Sequence, residues 1–172
     1  MLKIPYLPLT PVLVALLISA CNPGGSRLKT YQATIDSLNN QISILKKANQ
    51  KIMDNKKMVA DFYQELFGDK NIDAIDKYIG DTYIQHNPLA ADGKEALKEI
   101  LKQWFRNAPK EKVDIRHLGA DGDYVYIHTR SVRGGDVYSV IDIFRLDNGK
   151  IVEHWDVIQK VPDNSVNPHP MF

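Results

Sequence analysis

The chain has 172 residues, of which 44% are hydrophobic and 25% are charged, and its formal net charge is +1. This length suits one globular domain with an additional segment, and the balanced composition excludes a chain that is disordered throughout. Without a basic excess there is no electrostatic basis for a nucleic-acid partner. The single cysteine excludes an internal disulfide, so the domain has to be stabilised by its core.

The first twenty residues have the pattern of a signal peptide. A basic residue, Lys3, precedes an apolar stretch over residues 11–20 that is too short to span a bilayer comfortably. The small residues Ser19 and Ala20 stand directly before Cys21. This arrangement resembles the lipobox of bacterial lipoproteins, and the resemblance implies lipidation of Cys21 and anchoring to a lipid bilayer. An ordinary secretory signal followed by an unrelated cysteine is the alternative.

A lipid anchor would place the mature chain in the bacterial cell envelope, outside the cytoplasm. Asn22 follows the cysteine at a position where an aspartate would signal inner-membrane retention in many lipoproteins of Gram-negative bacteria. The resemblance therefore favours the outer membrane.

A helical stalk is predicted between the anchor and the domain. Residues 21–26 contain proline and two glycines and predict a flexible linker. Residues 27–55 predict a helix whose heptad pattern is typical of a coiled coil. In a coiled coil, Asn49 at an a position favours a parallel dimer. A single amphipathic helix folded back onto the domain is the alternative, because the e and g positions offer no opposite charges. The a and d positions are Leu28, Tyr31, Ile35, Leu38, Ile42, Leu45, Asn49 and Ile52.

Residues 56–172 are predicted to form one α+β domain, because helical patterns come first and strand patterns follow. The helices are predicted over residues 59–67, 72–79 and 94–105. Residues 83–88 are predicted to be extended, because the residue before a proline avoids the α region. Antiparallel strands are predicted over residues 113–118, 124–132, 137–146 and 151–161, followed by an extended arm.

Asp142 is the most informative residue of the domain, because it interrupts a β-branched, apolar run that predicts a buried strand. A carboxylate in an apolar interior has to be paired, hydrogen-bonded or protonated. Groups of this kind are concentrated at functional sites. The next strand carries His154 and Asp156, so a shared pocket depends on how the two strands align.

The turn between the last two strands decides that alignment. A two-residue turn at Asn148-Gly149 would place Asp142 beside Trp155, whereas a three-residue loop with a bulge at Gly149 would place Asp142 opposite His154. We favour the three-residue loop, because it collects the polar groups on one face. That face comprises Tyr138, Val140, Asp142, Phe144, Val152, His154, Asp156 and Ile158.

The opposite face of the same two strands is also largely apolar. Since an exposed apolar surface of that size usually marks an interface, we expect a homodimer through the outer face of the sheet, with the stalk as a second candidate contact. The outer residues are Ile141, Ile143, Arg145, Ile151, Glu153, Trp155 and Val157.

Alternation in the strand over residues 124–132 groups its tyrosines with His128 and Arg130. We expect this polar group on the inner face and the intervening Val125 and Ile127 on the outer face. Together with His86, the predicted interior then holds three histidines and Asp142.

Four segments, at residues 83–88, 121–128, 140–145 and 148–157, resemble the SnoaL-like branch of the nuclear transport factor 2-like superfamily. The resemblance runs from about residue 55 to residue 172. It implies a cone-shaped fold in which three helices pack on a strongly curved antiparallel sheet. It also implies a pocket for a small organic ligand, no cofactor, and chemistry of the aldol or cyclase type, although this fold hosts both enzymes and binding modules.

Ketosteroid isomerases are distant members of the same superfamily, and the resemblance extends to their pocket. Their oxyanion-binding tyrosine would correspond to Tyr63, and their protonated aspartic acid to Asp142. Their general base would correspond to Asn87, and an amide cannot accept that proton. His86 is adjacent and would be the replacement base.

Three functions remain open at the level of sequence. In an acid–base enzyme, Asp142 would pair with His154, His86 or His128 would be the second proton-transfer group, and Tyr63 would bind an oxyanion. In a binding protein, a small ligand would occupy an apolar cup without reaction. In a structural lipoprotein, the histidines would be satisfied core residues. The expected ligand contacts are Asn87, Tyr124, Tyr126, Arg130, Tyr138, Phe144 and Asp156.

The ligand types of the predicted interior also suit zinc or iron. His86, His128, His154 and Asp142 show no short ligand spacing of the His-x-His kind. We therefore predict no metal and no cofactor.

Overall fold

The computed structural model describes residues 24–172, so the predicted signal peptide and Cys21 lie outside the described residues. The chain divides into two compact units, of which the first ends at Ile42 and the second comprises Ser43–Phe172. None of the described helices combines the length and the hydropathy that crossing a membrane would need.

The order of helices and strands confirms an α+β fold with a long N-terminal helix. Helix α1, Gly24–Tyr63, continues into a short π-helical segment, Gln64–Gly68. It includes residues 24–26, which the sequence had predicted as part of a flexible linker. The remaining elements are α2 (Ala74–Tyr78), β1 (Ile79–Gln85), α3 (Lys94–Phe105), β2 (Asp114–Asp121), β3 (Tyr124–Arg133), β4 (Asp136–Asp147) and β5 (Lys150–Lys160).

The five strands form one sheet in the order β1-β5-β4-β3-β2. Three neighbouring pairs are antiparallel, as predicted, but β1 pairs in parallel with β5. The sequence did not predict this parallel pair, because it joins segments that are far apart along the chain. It places Gln85 at the end of β1 beside His154 of β5.

The core lies on the inner face of the sheet, where the C-terminal part of α1 and the other helices cover it. Burial of these apolar side chains is the main stabilising contribution to the fold. The fully buried side chains are Val59, Phe62, Leu66, Ile75, Ile79, Leu101, Val125, Ile127, Thr129, Val140 and Ile151. By contrast, the heptad residues of α1 from Leu28 to Leu45 are 47–68% exposed.

The predicted orientation of β3 is wrong. Val125 and Ile127 are 0% exposed, whereas Tyr124 and Tyr126 are 39% and 40% exposed on the opposite face. The alternation itself was identified correctly, but we assigned the polar set to the interior. The β-branched set is buried instead, because it adds no polar atom that needs a partner in the core.

The predicted alignment of the last hairpin is also wrong. Asp147 pairs with Lys150 across a two-residue turn, in which Asn148 and Gly149 have φ angles of 48° and 73°. Both residues are therefore left-handed, as an Asn-Gly type I′ turn requires.

A bulge follows this turn, because Leu146 pairs with Ile151 but Arg145 pairs with Glu153. The extra residue on β5 places Asp142 directly opposite Asp156, and His154 opposite Phe144 rather than Asp142. The two-residue turn pairs Ile151 with Leu146 and buries it, although we had predicted Ile151 on the outer face. The bulge adds one residue to β5, and each residue added reverses the face on which the following side chains lie. Asp142 and His154 are therefore on the same face despite the two-residue turn.

Candidate functional site

An aspartate–histidine pair lies at the centre of the inner sheet face. His154 Nε2 is 2.9 Å from Asp142 Oδ1. The two residues are only 8% and 5% exposed. They contact each other diagonally across β4 and β5. The predicted contact between Asp142 and His154 is therefore present, although the register of the two strands differs from the predicted one. A buried ion pair or shared proton of this kind satisfies a carboxylate that would otherwise be costly in an apolar strand.

Tyr63, at the end of α1, holds the other oxygen of this carboxylate. Its hydroxyl donates to Asp142 Oδ2 at 2.9 Å and lies 3.4 Å from Thr129 Oγ1. Burial raises the pKa of Tyr63 well above its usual value, and the nearby charge of Asp142 raises it further. Tyr63 is therefore a stable hydrogen-bond donor to Asp142.

Gln85 determines which nitrogen of His154 faces Asp142. Its Oε1 accepts the backbone N–H of Asn87 at 3.0 Å and lies 2.8 Å from His154 Nδ1. Its amide nitrogen donates to the hydroxyl of Tyr83 at 3.2 Å. Because an amide oxygen can only accept, we assign a proton to His154 Nδ1. The contact between His154 Nε2 and Asp142 Oδ1 then holds one further proton.

Sequence reasoning missed Gln85 and Tyr83 as parts of the site. Both lie in β1, two residues apart, so they share one face of the strand. The pairing of β1 with β5 places Gln85 beside His154, within the network that Tyr63, Gln85, Asp142 and His154 form. The available signal was the alternation of Tyr83 and Gln85 in a segment predicted to be extended, but the partner strand was not apparent from it.

Asp156 and Asn87 form the more accessible side of the network. Asn87 Nδ2 donates to Asp156 Oδ2 at 2.6 Å, and both side chains are half-buried. One polar atom each of Asp142, His154 and Asp156 lies within 4.8 Å of the other two. The observed network therefore contains two carboxylates and one imidazole, and Asp156 is the one of the three nearest to solvent.

Phe144 forms an apolar wall beside the imidazole. Its ring stacks on His154 with centroids 4.9 Å apart, and Phe62 contacts it edge-on at 5.8 Å. Tyr138 lies further along β4, half-buried, with the guanidinium of Arg133 5.6 Å from its ring centre. Phe144 thus positions the His154 ring by packing.

The structure does not bring His86 into this network. Its side chain is 40% exposed, and its Nε2 lies 2.9 Å from Glu153 Oε1. The ring stacks on Trp155 with centroids 4.5 Å apart. Gln85 points inward, so the next residue along the chain points outward.

His128 is also outside the network, because β3 has the opposite orientation to that predicted. Its Nδ1 lies 3.1 Å from His117 Nδ1, and its Nε2 lies 2.8 Å from Ser139 Oγ. Burial lowers the pKa of His128, and His117 lowers it further. Tyr124, Tyr126 and Arg130 share the strand positions of this outer face. The predicted quartet of three histidines and Asp142 is therefore not assembled.

Two cavities among the described residues lie away from the network. One is at the C-terminal end of α3, around Trp104 and Arg106. The other has a volume of about 430 Å³ and lies between α1 and the turns at Asp123 and Asn148. Asp156 is more accessible than Asp142 and His154, so it marks the side of the network that is nearest to solvent.

Changing Tyr63 to Phe is expected to lower the free energy of unfolding by about 1–3 kcal/mol, because Asp142 Oδ2 loses its buried donor. Chemical denaturation measures this change. Tyr126→Phe is the matched control, since its ring is 40% exposed, and it should change stability by less than about 0.5 kcal/mol. Equal effects of the two substitutions would contradict the role of the Tyr63 hydroxyl.

Comparison with known proteins supports the fold. A crystal structure of a polyketide cyclase candidate from Acidithiobacillus ferrooxidans is 23% identical, with a TM-score of 0.52 over 61% of this chain and 87% of that chain. An LEH-like epoxide hydrolase from M. tuberculosis is 19% identical, with a TM-score of 0.52 over 63% and 85%. A nuclear transport factor 2-like protein of unknown function from Burkholderia xenovorans is 14% identical, with a TM-score of 0.55 over 66% and 89%.

At these identities the structural similarities establish the fold alone, because the same fold carries unrelated activities. None of the curated proteins compared with the chain matches it significantly. The sequence profile of the SnoaL-like domain, however, matches residues 59–154, which is more than half of the chain. The chain therefore belongs to the SnoaL-like family and has the nuclear transport factor 2-like fold.

Proposed function

We propose that the domain binds a small carbonyl compound and carries out general acid–base chemistry on it. The observation that supports this proposal is the contact between His154 Nε2 and Asp142 Oδ1 at 2.9 Å, which joins two side chains that are only 8% and 5% exposed. A polyketide cyclase candidate is among the structures that share the fold, and aldol-type cyclisation would need proton transfer of this kind.

Asp156 takes the role that the sequence analysis gave to His86 or His128. Asn87 donates to one oxygen of this half-buried carboxylate, and we assign the other oxygen to the ligand. In the proposed reaction, Asp156 removes a proton from the carbon beside the carbonyl group. The Asp142–His154 pair donates its shared proton to the carbonyl oxygen, which yields a neutral enol.

The surrounding residues support this division of roles. Gln85 keeps the Nδ1 proton of His154 in place, so the shared proton is the one that can be transferred. Tyr63 stabilises the carboxylate of Asp142 after the proton has left. The amide of Asn87 serves as a hydrogen-bond donor to the base, which is a different role from that of the base in ketosteroid isomerases.

Binding without reaction is the second candidate function. Within residues 24–172, every buried side-chain polar atom has a hydrogen-bond partner. A network that is fully satisfied without a ligand also suits a domain that only holds a small molecule, or a structural role. Turnover of a carbonyl substrate distinguishes catalysis from binding.

His154→Ala is expected to weaken carbonyl-ligand binding at least about tenfold and to abolish turnover, because the proton donor is removed. The full-length chain would be screened against a panel of small ketones and β-dicarbonyl compounds by native mass spectrometry, followed by an assay of deuterium exchange beside the carbonyl. His128→Ala, on the outer face, is the matched control and should leave both readouts unchanged. Unaltered binding and exchange in His154→Ala would remove the pair from the site.

The lipid anchor is part of the same proposal. Cys21 follows a signal-like segment, so a lipidated mature chain in the cell envelope, with the outer membrane favoured, is the location that we infer from the sequence. Cys21→Ala is expected to move the chain from the membrane fraction to the soluble fraction, measured by fractionation and immunoblotting. Asn22→Ala, next to it, should keep the chain with membranes. Membrane association of the Cys21→Ala chain would refute lipidation.

We also infer a homodimer through the outer face of the sheet. Tyr124, Tyr126, Ile141 and Val157 are 39–67% exposed there, around the half-buried Trp155. A second copy would cover this apolar surface, and the exposed heptad residues of α1 offer a second self-complementary surface in a parallel coiled coil.

Trp155→Asp is expected to weaken dimerisation at least about tenfold, because it puts a charge at the centre of an apolar contact. Analytical ultracentrifugation of the full-length chain in a Cys21→Ala background measures the effect. Trp104→Asp is the control, since this side chain is 55% exposed on α3. Ile35→Asp in the heptad separates the contribution of the stalk. A dimer that resists Trp155→Asp would contradict the outer-face interface.

A further inference from the structure

We propose that Asp142, His154 and Asp156 bind one divalent transition-metal ion. One imidazole nitrogen and two carboxylate oxygens form a donor set that suits zinc, iron(II) or manganese. These residues differ from the quartet considered in the sequence analysis, whose His86 and His128 lie on the outer face. The inference rests on the same site as the proposed function, but it concerns a metal ion in place of an organic ligand.

The spacing of the three donor atoms is compatible with one ion. Two ligands at about 2.1 Å from a metal and at a right angle to each other are about 3 Å apart. His154 Nε2 and Asp142 Oδ1 are 2.9 Å apart. The donor atoms of all three residues lie within 4.8 Å of one another. Asp156 is the most accessible of the three, so a small rotation of its carboxylate can complete the set.

Each of the three residues is held by a hydrogen bond through its remaining polar atom. Tyr63 donates to Asp142 Oδ2, Gln85 accepts from His154 Nδ1, and Asn87 donates to Asp156 Oδ2; these contacts measure 2.9 Å, 2.8 Å and 2.6 Å. Metal ligands in proteins are typically oriented in this way by neighbours that do not touch the ion. The contacts leave Nε2 of His154 and one oxygen of each carboxylate as the atoms that a metal ion would bind.

The electrostatics of the site also favour a cation. Among residues 24–172, the only ion-pair partner of Asp142 within 4.0 Å is His154, and Asp156 has no partner of this kind. Two carboxylates face each other across β4 and β5 at register positions Asp142 and Asp156. In a nearly buried environment their mutual repulsion is relieved by a shared proton or by a metal ion.

Metal binding and proton sharing exclude each other at this pair. The ion would take both Nε2 and Oδ1 and so replace the hydrogen bond between them, while His154 Nδ1 keeps its hydrogen bond to Gln85 Oε1. A metal-loaded site would therefore not act as the acid–base pair of the proposed function.

The test is isothermal titration calorimetry of the full-length chain after removal of metal by a chelator, with ZnCl₂ and MnCl₂ as probes. We expect one ion per chain and at least about a tenfold loss of affinity in Asp156→Asn. The outer-face variant His117→Asn should bind as the unaltered chain does. Thermal unfolding of both variants verifies that they fold.

Three results would overturn the inference: no saturable binding to the unaltered chain, equal affinity in Asp156→Asn, or loss of binding in His117→Asn alone, which would assign the ion to the outer histidine pair. Repeating the carbonyl screen with the metal-free chain separates the two proposals. Carbonyl binding without metal binding refutes only the metal site, and metal binding without carbonyl turnover refutes only the proposed chemistry.

Discussion

The contact between Asp142 and His154 is the interaction on which the inner sheet face depends. A carboxylate with apolar strand neighbours would be costly in the core, and this contact, together with the hydroxyl of Tyr63, satisfies both of its oxygens. The same groups connect α1, β1, β4 and β5 at one point. Stability and chemistry therefore rest on the same few side chains, which limits how freely any of them can be exchanged.

The fold was largely predictable from the sequence, because helix α3 and four strands carry strong periodic patterns. Asp142 was also identifiable as unusual, since a charge within a β-branched run is a local signal. The buried face of β3 was not predictable, because both alternating sets consist of strand-forming residues, namely Tyr124 and Tyr126 on one face and Val125 and Ile127 on the other. Only the packing of the whole sheet decides which of these sets faces the core.

The composition of the site was predictable only in part, for two physical reasons. The first reason is the bulge after the Asn148-Gly149 turn, which returns His154 to the face of Asp142. No residue in the turn indicates that a bulge follows. The second reason is the parallel pairing of β1, which brings in Gln85 and turns His86 outward. Contacts between distant segments depend on tertiary structure, whereas a sequence pattern reports mainly on its own neighbourhood.

The contact between Gln85 and His154 joins residues that are 69 positions apart. Closing so long a loop is slow compared with forming a helix or a hairpin. During synthesis, β1 leaves the ribosome well before its partner β5 exists, and its edge stays open for that interval. Until β5 is in place, Gln85 has no His154 to contact, so the last strand of the chain completes the network.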